Sequence, residues 1–321
     1  MALTTRGQIP AEVSAFYDRT LLERAVPLFV HNRWGQVRNI PRQAGTSTIK
    51  FRRYGNLATQ TTPLVEGVTP AGSQLSATDV TATVAQYGDY ITVTDVLTYE
   101  SQDSQLMEAA EVMGDQAGET LDEITRDVLV AGTNVYYANG SARIDVGAAH
   151  KITATLIKKA TRTLKNGLAK PVTRMINAST GYATEPVNAA FIGIVHPDTV
   201  FDLEDLTGWT PVEKYASTVT VMEGEVGKLG RVRFVESTKA KVFDNLGAAG
   251  IDVYATLIFG RDAYGTSRIS GEAMKNIVKP LGSGGTSDPL NQRATSGWKA
   301  TFVAKILNND WIVRIEHAVS A

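Results

Sequence analysis

The stretch FRRYGNLATQTTPLVEGVTPAGSQ (residues 51–74) decides how the rest of the chain is read. It holds Gly55, Pro63, Gly67, Pro70 and Gly72, and no residue pattern suited to catalysis. Proline cannot donate to a ladder and glycine weakens a strand, so this is turn-rich connecting chain. Just ahead, TSTIKFRRY (46–54) alternates Ile49 and Phe51 with Lys50 and Arg52, the period of a half-buried strand. Behind it, LSATDVTATVAQYGDYITVTDV (75–96) alternates Val80, Ala82 and Val84 with Thr81 and Thr83, and resumes at Ile91 and Val93 after a bend or bulge at Gly88. The reading is a long two-stranded hairpin with a flap at its tip. An isolated hairpin is marginally stable in water, so this one needs a second surface, its own domain or another molecule.

Upstream, IPAEVSAFYDRTLLERAV (9–26) predicts a helix, with Pro10 at its first position and Val13, Phe16, Tyr17, Thr20 and Leu21 on one face. Pro27 disfavours continuation, and LFVHNRWGQVRNIPRQAG (28–45) is irregular and basic, which makes the N-terminal stretch an arm.

Downstream, SQDSQLMEAAEVMGDQAGETLDEITRDVLVA (101–131) predicts one long helix, about 40 Å at ~1.5 Å per residue. Leu106, Ala110, Met113, Ala117, Leu121, Ile124 and Val128 form its seam, the other faces are acidic, and Ser101, Asp103 or Ser104 caps its start. Gly114 and Gly118 each cost a helix ~1 kcal/mol against alanine, so their presence implies close neighbours. TATLIKKATRTLKN (153–166) is an amphipathic helix with Leu156, Ile157, Ala160 and Leu164 inward, Lys158, Lys159, Arg162 and Lys165 outward, and Gly167 at its stop. Strands are expected at 189–197, 231–237 and 251–260, with a short helix at DTVFDLEDL (198–206). GWKATFVAKIL (297–307) and WIVRIEHAV (311–319) flank NND and read as a second hairpin.

The chain has 321 residues, 43% hydrophobic and 20% charged, with a net charge of −1 that marks neither a dedicated nucleic-acid binder nor a disordered acidic chain. That total hides a sorting. Residues 1–55 carry nine basic and three acidic side chains; residues 56–130 carry thirteen acidic side chains and one basic. Solvated faces explain such runs, and so does a basic arm laid on an acidic helix within or between copies, since complementarity sets partner and register. The arm is also suited to salt-sensitive phosphate contact. No cysteine is present, which excludes disulfides, thiolate metal sites and thiol catalysis and fits assembly in a reducing cytoplasm. The start lacks a secretory pattern, and no apolar run is long enough to cross a membrane as a helix.

The search for chemistry returns little. His31, His150, His196 and His317 have no metal-ligand spacing. His196 with Asp198, after the strand at 189–197, supports a function of a different class, a hydrolase using His196, although a histidine before proline at a strand end is ordinarily structural. EGEVGKLGRV (223–232) is not a phosphate-binding loop, and STIK (47–50) lacks the companion motifs of its namesake. No catalytic, cofactor or metal residue is assigned.

The order basic arm, long hairpin, long helix, α/β domain and returning strands resembles the major capsid proteins of tailed bacteriophages with the HK97-like fold. The wording is closer still to the family named after the N4 phage capsid protein. The segments that carry the resemblance are 16–36, 45–70, 85–97, 196–203, 225–238 and 284–318, nearly the whole chain. It implies an α+β fold with an N-terminal arm (1–45), an extended loop (46–96), a discontinuous peripheral domain with a spine helix (97–149 and 273–321) and an axial domain (150–272). It implies no enzyme and no cofactor, but an icosahedral head shell around double-stranded DNA. Subunits form hexamers and pentamers, with portal, scaffolding and possible cementing proteins as partners, in the virion after assembly in the host cytoplasm. The flap then becomes an inter-subunit strap. Lys50, Arg52, Arg53 and Glu66 are its expected contact residues, with Glu108, Glu111, Asp115 and Glu119 of an adjacent copy as candidates to meet Arg52 and Arg53. An encapsulin-like cellular compartment would use the same fold, and a decoration or adhesin module would also suit a projecting hairpin.

Overall fold

The computed structural model describes residues 30–40, 48–55, 57–100, 105–173, 188–215, 221–268, 274–285 and 288–320. The helix expected at 9–26 and the caps Ser101, Asp103 and Ser104 lie outside the described residues, as does the side chain of Leu106. In chain order, strands β1 (Gln36–Arg38), β2 (Thr48–Tyr54), β3 (Ala77–Thr83) and β4 (Ala85–Thr94) lead into helices α1 (Asp95–Glu100) and α2 (Gln105–Val130). Then come β5 (Val135–Tyr137), α3 (Ala154–Asn166), β6 (Phe191–Val195), α4 (Pro197–Glu204) and β7 (Trp209–Pro211). They are followed by β8 (Glu225–Leu229), β9 (Val232–Glu236), β10 (Val242–Phe243), β11 (Val253–Phe259) and β12 (Tyr264–Ser267). The set is completed by β13 (Met274–Lys279), β14 (Arg293–Phe302), β15 (Ala304–Ile306) and β16 (Ile312–His317).

The largest layer is an eight-stranded sheet in the order β5-β16-β11-β6-β9-β8-β7, with β10 paired to β11. Its central strands are continuous apolar runs because both faces are covered, the pattern of a sheet buried on two sides. On one face α3 inserts Leu156, Ile157, Ala160 and Leu164 against Phe191, Ile258, Val313 and Ile315. The helix starts where the sequence places it: the Thr153 side chain accepts from the Leu156 N–H at 3.3 Å. On the other face the C-terminal end of α2 brings Leu129 and Val130 to Ile192, Leu257, Phe259 and Tyr264. The N-terminal part of α2 lies on a second sheet, β13-β14-β4, where Met113, Ala117 and Leu121 meet Trp298, Ala300 and Phe302. Gly114 and Gly118 are buried on this helix, consistent with the close neighbours their helix cost implied.

Two expectations are corrected. The run 75–96 is not one hairpin arm: β3 pairs with β2, but beyond Val84 the chain changes sheets and β4 pairs with β14 from Ala85↔Phe302 to Thr94↔Arg293. Tyr87, Ile91 and Val93 need cover, and the sheet lying on α2 supplies it. Gly88 is no bend; it sits in the middle of β4, where a Cβ would lie 2.5 Å from the Trp298 carbonyl oxygen. The C-terminal hairpin does not form either. β14 pairs with β13 and β4, β15 with β12, and β16 with β11 and β5. The NND stretch is a 3-10 turn, opened by the Asn308 side chain accepting from the Asp310 N–H. β16 is buried along its whole length, so it demands a central place rather than an edge of a local hairpin.

Candidate assembly site

The hairpin β2–β3 is held by its base alone. Seven residue pairs run from Thr48↔Thr83 to Tyr54↔Ala77. Ile49, Phe51 and Ala82 are buried, packed with Val80, Val84, Val303 and Leu307. Phe51 fits its ring over Gly265 of β12, where any Cβ would come within 2.4 Å of the ring. Only glycine leaves that socket open. Beyond Tyr54 the support ends. Gly55 N–H donates to the Ser76 carbonyl at 2.9 Å, Gly67 turns the tip at φ 76°, and every described residue from 57 to 79 is exposed. Leu57, Leu64, Val65, Val68 and Leu75 are among them, an apolar set without cover from the described residues. Several large apolar side chains exposed on one loop are the kind of surface that interaction sites use.

Strand alternation separates the two arginines that the sequence reading kept together. Arg52 points outward and meets its cross-strand partner Asp79 through two bonds, Nε–Oδ1 at 2.8 Å and Nη2–Oδ2 at 3.2 Å. That guanidinium holds the Asp79 carboxyl below the usual carboxylate range. Arg53 shares the inward face with Phe51, its guanidinium 5.7 Å from the centre of the Trp311 ring. Lys50 and Glu66 are exposed. On α2, Glu108 is exposed and Glu111 and Asp115 are half-buried. Glu119 is engaged within the chain: Lys239 Nζ stands 3.0 Å from it and 3.7 Å from Glu123, and the bond to Glu119 raises the lysine's pKa. Lys241 reaches Asp127 at 3.9 Å. The acidic helix is thus partly balanced at its C-terminal half by the turn before β10.

The arm is fastened by a residue the sequence reading left among the solvent-face acids. Asp122, 2% exposed, accepts from the backbone N–H groups of Val30, His31 and Asn32 at 2.9, 2.7 and 3.2 Å, and its other oxygen lies 2.6 Å from His31 Nδ1. Tyr264 donates to the His31 carbonyl, and burial raises its phenol pKa. β1 then pairs in parallel with β12. A second seam on α2 carried the signal: Gly118, Asp122, Thr125 and Leu129 recur at helical spacing and all are buried.

His196 caps α4. Its Nδ1 accepts from the Asp198 N–H at 3.3 Å and lies 3.1 Å from the Asp198 carboxylate, which accepts from the Tyr254 hydroxyl. The pair therefore has a structural task, and the described residues contain no group of three or more acidic and histidine side chains able to hold a metal.

The profile of a family described as phage capsid protein matches residues 77–315, about three quarters of the chain. The chain belongs to the phage capsid protein family. No curated protein matches it. Among solved structures, the capsid of Ralstonia phage GP4 is similar at a TM-score of 0.69 and 12% identity, with 89% of this chain and 87% of that one covered. The head of Helicobacter pylori bacteriophage KHP40 gives 0.64 at 11% identity, covering 91% and 88%. The capsid of cyanophage Pam1 gives 0.63 at 16%, covering 93% and 92%. At such identities the likeness shows the fold, which is the HK97-like capsid fold. The capsid protein is a shell-forming structural subunit, and its family is structural rather than catalytic.

Proposed function

We propose that the hairpin and flap are the strap by which one capsid subunit holds the next in a bacteriophage head. The observation that carries this is the uncovered flap: five exposed apolar side chains between residues 57 and 75 on a hairpin whose buried contacts all lie at its base. On this reading Lys50, Arg52, Arg53 and Glu66 face an adjacent copy, with Glu108, Glu111, Asp115 and Glu119 as the carboxylates across the contact. Arg52 exchanges its exposed pair with Asp79 for a neighbour's carboxylate, an exchange favoured by the small net worth of surface pairs. Arg53 starts from the Trp311 ring.

The division into arm (1–45), extended loop (46–96), peripheral domain (97–149 and 273–321) and axial domain (150–272) belongs to the same proposal. β5 and β16 join the sheet of the axial segment, so the two domains share strands in it. The proposal extends to the N4-named capsid family, hexamers and pentamers, portal, scaffolding and cementing partners, non-specific contact with packaged double-stranded DNA, and assembly in the host cytoplasm. Negative-stain electron microscopy of the full chain beside its size-exclusion profile tests it. Closed shells, or rings of five and six that close on a change of salt or pH, are expected. A monodisperse monomer that never assembles, with or without a scaffolding protein, overturns it.

A further inference from the structure

Outside the hairpin, one concavity among the described residues gathers four cations and no acid. A groove of about 480 Å³ runs between α3 and the turn joining β8 to β9. Lys158, Arg162 and Lys165 line it from the helix and Arg231 from the turn, and no aspartate or glutamate lines it. None of the four forms an ion pair among the described residues. Its floor is apolar, from Ile157 and Leu229. A concavity beside β1 has only two cations, Arg38 and Arg268, and a larger one, on the outer face of the three-stranded sheet, mixes Lys279, Arg293 and Lys299 with Asp89 and Asp288. It does not present one sign.

The helical cations sit at i, i+4 and i+7, one face of α3. At ~1.5 Å rise they span about 10 Å of helix, the axial length of about three base-pair steps of a duplex at ~3.4 Å each. A row of cations at that spacing, with no acid to repel phosphate, suits a polyanion better than a single carboxylate. The acids on the C-terminal half of α2 are already matched within the chain by Lys239 and Lys241.

We infer that the groove between α3 and the β8–β9 turn binds the phosphodiester backbone of nucleic acid, so that this face of the eight-stranded sheet is the one turned toward packaged DNA. The inference rests on the shell reading for its biological setting, but the site stands on its own chemistry. Binding is sequence-independent and driven by counterion release.

The test uses the full chain with Lys158, Arg162 and Lys165 each changed to glutamine. These side chains are exposed, so the fold tolerates the change. Affinity for a short DNA duplex is measured by fluorescence anisotropy across a salt series, and shell formation is followed in parallel by electron microscopy. Each phosphate contact contributes about −0.9 to the slope of log K against log salt, so the triple variant is expected to lose about 2.7 of that slope. A control with Lys275, Lys279 and Lys299 changed to glutamine, on the outer face of the other sheet, keeps it. An unchanged slope in the groove variant overturns the inference. So does loss of the slope in the control alone. If the groove variant binds DNA as before but no longer forms shells, the groove faces an acidic surface of a second copy and the phosphate assignment fails. If the unaltered chain binds with the expected slope yet never forms shells, the assembly reading fails and the phosphate site remains.

Discussion

Replacing Leu64, Val65 and Val68 together with serine separates an inter-subunit strap from an ordinary surface loop. These side chains are 76%, 68% and 63% exposed in the single subunit. Fully burying a Leu or Val side chain is worth ~1.5–3 kcal/mol, so covering what is now exposed yields about 1–2 kcal/mol for each. Three give roughly 3–6 kcal/mol per strap, from which ordering the flap subtracts part. If about 3 kcal/mol survives, the concentration threshold for assembly rises by ~100-fold, since ~1.4 kcal/mol is a factor of ten. Light scattering or sedimentation across a concentration series reads that threshold. Thermal unfolding of the unassembled subunit is expected to stay within ~0.5 kcal/mol of the parent, as for surface substitutions away from any structural feature. Leu121→Ala, in the buried seam of α2, shows the reverse pattern, costing the subunit itself ~2–5 kcal/mol. Assembly at the parent's threshold, or a subunit destabilised by the flap change as much as by Leu121→Ala, would refute the reasoning.

Two further outcomes concern the subunit alone. Glu316 is fully buried and bonded by Arg143 at 2.6 and 2.8 Å and by Arg314 at 2.7 Å, so Glu316→Gln leaves two guanidiniums without their anion; a loss of ~3–5 kcal/mol in denaturant unfolding is expected, and an unchanged midpoint contradicts it. His317 is buried, and desolvation pushes its pKa down to about 4, although Asp202 and Glu316 pull the other way. Because the unfolded chain binds that proton at pH ~6.5 and the folded one does not, stability falls as pH drops from about 6.5 to about 4, by about 3 kcal/mol from this group. His317→Gln flattens that part of the stability–pH curve, as measured by unfolding at several pH values; an unaltered slope shows that the acid loss lies elsewhere.

What the sequence made legible is local. Leu156, Ile157, Ala160 and Leu164 of α3 point inward as their spacing requires, because one helix face meets one sheet face and the period survives. The β2–β3 ladder was legible for the same reason, with Ile49 and Phe51 inward and Lys50 and Arg52 outward. Sheet partners were not, because pairing joins residues far apart in the chain. Nearness of β15 and β16 in sequence imitated a hairpin, while the six buried residues of β16 were bound for β11 and β5. Asp122 was lost by a related route. A carboxylate on an acidic helix reads as solvated, and only the backbone of residues 30–32, some ninety positions earlier, gives it a reason to be buried.

The socket at Gly265 makes the hairpin a lever with its fulcrum at one end. From Phe51 to Gly67 the chain reaches up to about 50 Å at ~3.3 Å per residue, so a rotation of ~10° about the base sweeps the tip through roughly 9 Å. The Phe51 ring presses on a backbone with no side chain of its own, and every described residue from 57 to 79 is exposed, so the angle of the flap is set at the base alone. Subunits of identical sequence can then reach neighbours set at different inclinations without altering the fold of the subunit.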